Sequence, residues 1–265
     1  MTPGTQLGRT GGWNVAVLGA ECSGKSTLAH ALSAALNMAM PAPPGEPPRV
    51  EWVPEALRDW CETHQRTPLA HEQAQVASQQ MARVAAARQR VGPNGWLVVD
   101  TTPLQTAVYS QHYFSDTSLY THAWHAQRNF EVTLLMGLDL PWQADGPWRD
   151  GPATQQAVDN LLRTQLAHAG LGYTTIYGNG MGRTQAALLA IAQTLPASDV
   201  FGLAMRKRAA TLVPNGPDTE LGSKFFSQCE SCSDPECEHT LFTRLLTLRR
   251  TAVRPLSMRA GSDGR

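Results

Sequence analysis

Charged side chains are scarce in this sequence: Asp, Glu, Lys and Arg make up 17% of its 265 residues, against roughly 25% in an average soluble domain. Lysine is scarcest, at Lys25, Lys207 and Lys224 alone. Acidic and basic residues balance at 22 each, which argues against a globally basic nucleic-acid binder and against an acidic, solvating chain. Aromatics reach only 7%, but the 42% of apolar residues still supports a packed core. No run of about 18 uninterrupted apolar residues is present, so no membrane span is expected. The opening MTPGTQLGRTGGW lacks the apolar centre of a secretion signal, and a cytoplasmic protein is expected. Cysteine is sparse and odd in number, at five, which argues against a disulfide framework. Cys22 and Cys61 stand alone, whereas Cys229, Cys232 and Cys237 crowd together.

What is present is an alternation. Residues 1–12, punctuated by Gly and Pro without periodicity, read as a frayed leader. WNVAVLG (13–19) is a β-branched run that ends on glycine, the mark of a buried strand. Lys25 to Asn37 carries Leu28, Ala29, Leu32 and Leu36 at helical spacing. The proline-rich 40–48 can be neither helix nor central strand. Further strands are expected at 49–55, 95–100, 132–138 and 172–178. Helices are expected at 69–91, in two pieces within 103–130, at about 153–169 and from about Arg183 to Leu195. Strands alternating with helices specify an α/β fold, here a parallel five-stranded sheet covered on both faces. This unit is expected to span residues 13–196. After Pro196 the alternation stops, and 197–265 is expected to form an irregular C-terminal appendage with its own organising centre.

The strongest chemical signal is Gly19-Ala20-Glu21-Cys22-Ser23-Gly24-Lys25-Ser26, which fits G-x-x-x-x-G-K-[ST]. Glycines let the backbone curl so that its N–H groups face one anion, and the next helix adds the positive end of its dipole. Lysine then neutralises the β- and γ-phosphates, and the serine hydroxyl binds Mg²⁺. The motif follows a predicted strand and opens a predicted helix, so it specifies a P-loop NTPase fold that binds ATP with Mg²⁺.

Ligands in such sheets lie beyond the carboxyl ends of the strands, and acids occur at several of those ends. Glu55 follows the second strand, Asp100 ends the third, and Asp139 and Asp145 follow the fourth. Asp100 suits Mg²⁺ or a bridging water, or simply caps the next helix. Glu55 and Arg58, one helical turn apart, offer a base beside a cation, or an ordinary surface pair.

Several segments together resemble the kinase domain of the NadR-type nicotinamide riboside kinases. They are GAECSGKST (19–27), VPEALRDW (53–60), DTTPLQTAVYSQHYF (100–114), LDLPWQADGPWRD (138–150) and GNGMGRTQAAL (178–188). Their order is that of the family, over roughly residues 13–195. Pro141 to Arg149 resembles the family's lid, with Trp142, Asp145, Gly146 and Arg149 in matching places. Cys22 stands where serine is common, Ala56–Leu57 replaces a tyrosine–alanine, and Pro147–Trp148 adds one residue before the lid arginine. The resemblance implies transfer of the ATP γ-phosphoryl to the 5′-hydroxyl of a nucleoside such as nicotinamide riboside, within NAD metabolism. It assigns Lys25 and the loop amides to the phosphates, Ser26 and Asp100 to Mg²⁺, and Thr27 to the α-phosphate. Glu55 or Asp100 would take the hydroxyl proton, with Glu55 favoured. Arg149 and Arg58 would offset charge on the transferred group. Trp142 and Trp148 would hold a planar base or pack the lid. Arg183 would stack on adenine or sit solvated at a helix start. The family's adenylyltransferase signature, H-x-G-H, does not occur in this sequence, so completion of NAD synthesis is not expected.

Cys229-x₂-Cys232-x₄-Cys237-x-His239 offers three thiolates and an imidazole, a complete tetrahedral shell for structural Zn²⁺. Reduced cysteines or a redox C-x-x-C pair are the alternatives. Arginines at 244, 249, 250, 254 and 259 make the end basic, so the appendage could meet nucleic acid or a protein. Three readings follow: a nucleoside kinase; a regulatory ATPase or nucleotide switch whose zinc appendage binds a partner; and a nucleic-acid-associated module.

Overall fold

The structure, a computed structural model, describes residues 12–142 and 151–212. Five parallel strands form one sheet: β1 (Asn14–Leu18), β2 (Val50–Val53), β3 (Trp96–Asp100), β4 (Val132–Met136) and β5 (Thr174–Ile176). Their order is β2-β3-β1-β4-β5, so the chain skips a strand after β1 and crosses back over it after β3. All four pairings are parallel, as the alternation with helices α1 (Lys25–Ala39), α2 (Ala56–His64), α3 (Gln73–Val91), α4 (Pro103–Phe114), α5 (Tyr120–Gln127), α6 (Pro152–His168), α7 (Gly180–Thr194) and α8 (Val200–Thr211) requires.

Both faces of the central strands β1, β3 and β4 are buried, which is why they read as nearly continuous apolar runs. Val15, Val17, Trp96, Val98, Leu134 and Met136 face a core shared with α1, α7 and α8. The alternate residues face the other way: Ala16, Leu97 and Val99 pack with α3, while Leu18 and Leu135 pack with α4, α5 and α6. β1 lies in the middle, and its register pairs Val17 with Asp100 of β3 and Leu18 with Leu135 of β4. This register brings the loop after β1 and the acid that ends β3 side by side at the carboxyl edge.

Two helices were not anticipated. Helix α2 follows Pro54 directly and is short, with Ala56, Trp60 and Cys61 buried. Helix α8 places the first residues after Pro196 within the sheet unit. Met205, Ala209 and Leu212 join the core under α1, Asp199 caps the helix by accepting from the Gly202 N–H at 2.9 Å, and Arg206 donates to the Ala192 carbonyl at 2.9 Å. The boundary expected at 196 therefore falls inside the packed body, which runs on to Leu212. Its periodicity is masked in the sequence because Val200, Phe201 and Leu203 are apolar yet exposed. The leader 1–11, the segment 143–150 and residues 213–265 lie outside the described residues. Among the described residues, no helix is long and apolar enough to cross a membrane.

Candidate active site

The loop between β1 and α1 takes the shape its glycines allow. A Cβ on Gly19 would lie 2.8 Å from both the Met136 Cβ and the Ser23 Oγ, so no side chain fits there. Gly24 adopts φ 80° as the cap of α1, in the left-handed region that glycine occupies without strain. Cys22 also turns left-handed, at φ 53°. Helix α1 then begins on Lys25 itself, so the positive end of its dipole faces the loop.

Side chains from four elements hold the loop. The Ser23 hydroxyl and the Lys25 ammonium each donate to the Ala20 carbonyl at 2.7 Å. Gln155, in the first turn of α6, donates to the Glu21 carbonyl at 2.9 Å. Arg183 of α7 donates to the Ser23 carbonyl at 2.6 Å. Gln105 of α4 accepts from the Gly19 N–H at 3.3 Å. Several loop carbonyls are thus engaged by side chains of the body, a pattern suited to a preformed anion cradle.

Arg183 is 4% exposed. Besides Ser23 it binds the Asp139 carboxylate at 2.6 Å, and Asp139 in turn accepts from the Gly178 N–H at 2.6 Å. The solvated reading of this arginine does not hold. Its guanidinium bonds the Ser23 carbonyl of the loop and the Gly137 carbonyl and Asp139 carboxylate after β4, so it ties α7, the end of β4 and the phosphate loop together. Asp139 also lines a cavity of about 380 Å³ with Leu138, Gln156, Asp159, Asn160, Arg163 and Tyr177. Arg183→Ala removes the clasp and strands the Ser23 carbonyl; urea unfolding should show a loss of about 2–3 kcal/mol. A loss below about 0.5 kcal/mol would mean that the clasp contributes nothing.

At the end of β3, Asp100 is 1% exposed. Its carboxyl is pushed up to about 6, first by burial and then by Glu55; a hydrogen bond from Ser26 and the charges of Lys25 and Arg58 act in the opposite direction. The residues expected from sequence to share a site, Lys25, Ser26, Glu55, Arg58 and Asp100, are therefore electrostatic neighbours here. Thr27 is exposed in the first turn of α1. Gln80 organises the cluster. Its amide accepts from the Ala56 N–H at 2.7 Å and donates to the Asp100 carbonyl at 3.3 Å, tying the start of α2 to the end of β3. The next residue, Thr101, is buried with φ 65°, a strained setting for a β-branched side chain. Gln80, Gln105 and Gln155 carry no pattern that a periodicity analysis could single out. The only sequence cue is that Gln105 lies within the first turns of the helix that follows Asp100.

The raised Asp100 carboxyl has a pH consequence. Between the ordinary carboxylate range and about 6 the folded state holds a proton that the unfolded chain releases, so this residue removes stability as pH rises through that window. The full effect approaches about 3 kcal/mol. Glu72, held low by Arg66, works in the opposite direction at lower pH. Comparing urea unfolding of wild type and Asp100→Asn from pH 4 to 7 isolates the term: the variant should gain relative stability as pH rises. A constant difference would overturn it.

Asp145 and Arg149 lie outside the described residues, as do Gly146 and Trp148. Trp142 is half-buried at the edge of that segment. The cluster Cys229, Cys232, Cys237 and His239 also lies outside them. Among the described residues, no group of three or more His, Cys, Asp or Glu is arranged to hold a metal ion.

No curated protein matches the chain. Among solved structures, a NadR protein in complex with NR is similar at 18% identity and a TM-score of 0.51, covering 69% of this chain and 49% of that one. A NadR protein in complex with NAD and AMP-PNP is similar at 18% identity and a TM-score of 0.52, covering 71% and 51%. This chain spans about half the length of either, and the likeness establishes a shared P-loop NTPase-like fold. A family model described as an AAA domain matches residues 14–183, from the first strand through the clasping arginine. With that match covering most of the chain, the protein belongs to the AAA-domain family AAA_28.

Proposed function

We propose that this protein is a kinase that transfers the γ-phosphoryl of Mg-ATP to the 5′-hydroxyl of a nucleoside, with nicotinamide riboside the first candidate. The carrying observation is the grouping of Glu55 and Asp100 beside Lys25, Ser26 and Arg58 at the edge of the phosphate loop. A site that only holds nucleotide needs the loop and one acid; a second carboxylate beside a cation suits an acceptor hydroxyl. The NadR structures, one carrying NR and one carrying NAD with AMP-PNP, support the choice of nucleoside.

Mg²⁺ fits the residues present. Asp100 Oδ1 is buried without a partner among the described residues and the Ser26 hydroxyl lies against the same carboxylate, a pair of hard oxygen donors of the kind Mg²⁺ prefers. Once bound, the ion neutralises charge on the β- and γ-phosphate oxygens. Lys25 and the loop amides hold the phosphate chain. Glu55, half-buried at the start of α2, takes the proton of the acceptor hydroxyl as its oxygen bonds to the γ-phosphorus. The bond from that phosphorus to the β,γ-bridging oxygen breaks, and ADP leaves. Arg58, and Arg149 from the lid-like segment, offset charge on the transferred group. By the resemblance of their segment, Trp142 and Asp145 would serve the acceptor, and Arg183 keeps the loop in shape for the nucleotide.

In the C-terminal segment we propose a structural Zn²⁺ held by Cys229, Cys232, Cys237 and His239, on the strength of ligand type and spacing alone. Elemental analysis of purified protein should find about one zinc per chain, and Cys232→Ser should release it; a metal-free wild type ends the idea.

The function is tested by ADP release from Mg-ATP with and without nicotinamide riboside and the common nucleosides. Strong stimulation by one of them establishes the kinase and names its acceptor. Slow, acceptor-independent hydrolysis would instead favour a nucleotide-dependent switch.

A further inference from the structure

Among the described residues, a pair of buried polar atoms beside the phosphate loop lacks a hydrogen-bond partner, and the pair is of opposite sense. One is the acceptor Asp100 Oδ1; the other is the donor Gln105 Nε2. Gln105 is 1% exposed. Its Oε1 is held by the Gly19 N–H at 3.3 Å, and because the amide is one rigid plane, its NH₂ is fixed within an amide's width of the loop's first nitrogen. The amide orientation is not arbitrary, since reversing it would point two donors at each other. An orphaned buried donor costs about 1–3 kcal/mol. Such a group is explained when its acceptor arrives with a ligand.

The position says which acceptor. Gln105 stands at the start of α4, just after Asp100, and touches the loop at Gly19, on the β3 side. The β-phosphate belongs to the loop amides and the N-terminus of α1, around Gly24 to Ser26. The gap between that nest and the Asp100–Glu55 pair is where the proposed transfer must take place, so it holds the terminal phosphoryl of ATP. ADP leaves that gap without phosphate.

We propose that Gln105 reads the γ-phosphoryl: its Nε2–H₂ donates to an oxygen of the terminal phosphate of ATP, so that this side chain sets the preference for ATP over ADP. The inference rests on the phosphate-transfer reading above for the location of the γ-phosphoryl, but its test needs neither acceptor nor turnover.

The affinities of Mg-ADP and of Mg²⁺ with the non-hydrolysable β,γ-imido analogue of ATP should be measured by calorimetry on wild type, Gln105→Glu and Gln105→Met. Gln105→Glu keeps an oxygen for the Gly19 N–H and loses the donor; Gln105→Met loses both without adding charge. In each, the analogue-to-ADP affinity ratio should fall by roughly ten- to a hundredfold, the range for one hydrogen bond to a charged group. Gln105→Met should in addition weaken ADP, because the loop loses its hold at Gly19. A ratio unchanged in both variants overturns the proposal. If the variants do not fold, the wild-type protein still decides: the Gln105 side-chain amide protons should shift downfield in NMR spectra with the analogue and stay in place with ADP. Equal shifts with both nucleotides would likewise overturn it. A kinase with an unchanged ratio loses only this inference. A collapsed ratio in a protein without acceptor-stimulated turnover keeps the γ-phosphoryl sensor and removes the kinase.

Discussion

Lys25→Ala should abolish the thermal stabilisation that Mg-ATP confers on this protein. Its ammonium is the cation carried within the phosphate loop, 7% exposed and reaching across to the Ala20 carbonyl at 2.7 Å. In the wild type, nucleotide at about 100 times its Kd adds about 2.7 kcal/mol. For a domain of this size each kcal/mol moves the midpoint by about 2–4 °C, so the shift should be on the order of 5–11 °C. In the variant it should vanish. The unliganded midpoint should change much less, because the Ser23 hydroxyl still engages the Ala20 carbonyl and Gln155 and Arg183 still hold the loop. Scanning calorimetry with and without Mg-ATP makes the comparison. An undiminished nucleotide shift would remove Lys25 from the phosphate site.

Glu55→Gln should separate binding from chemistry. ATP affinity should stay within about threefold of wild type, while the acceptor-stimulated rate falls by roughly 10²–10⁴, the usual contribution of a positioned general base. The substitution also deletes the charge that is second only to burial in raising the Asp100 carboxyl, so the acidic limb of any residual activity should move to lower pH. Retained turnover would transfer the base role to Asp100, the other carboxylate of the pair. Steady-state rates across pH, together with equilibrium ATP binding, give both answers.

Much of this architecture could be read in advance. The five expected strands all formed with only their flanking residues trimmed; the central β1, β3 and β4 were the clearest, because strands buried on both faces are apolar at nearly every position, whereas the edge strands β2 and β5 carry Glu51 and two threonines. The loop was legible because its glycines and its lysine answer to backbone geometry and phosphate charge, both local. Asp100 and Glu55 were legible because acids that end buried strands are conspicuous against apolar text. Helix α8 was not legible: Phe201 and Leu203 are exposed while Met205 is fully buried, so its apolar residues do not mark the buried face. Arg183 was identified by position but its burial was not, since the carbonyl and carboxylate it binds belong to Ser23 and Asp139, distant in sequence.

By itself the sequence determined the fold class, the phosphate loop and the acids that face it, because each follows from hydrophobic period, glycine or charge within a few residues of chain. Only the tertiary structure decided how the site is held. Strand order β2-β3-β1-β4-β5 sets Asp100 beside Val17, and this brings Gln80, Gln105, Gln155 and Arg183 from four helices onto backbone atoms of the loop and strand ends. A glutamine's amide finds its partner through long-range packing, and nothing in the residues next to it in sequence records which carbonyl or N–H that will be.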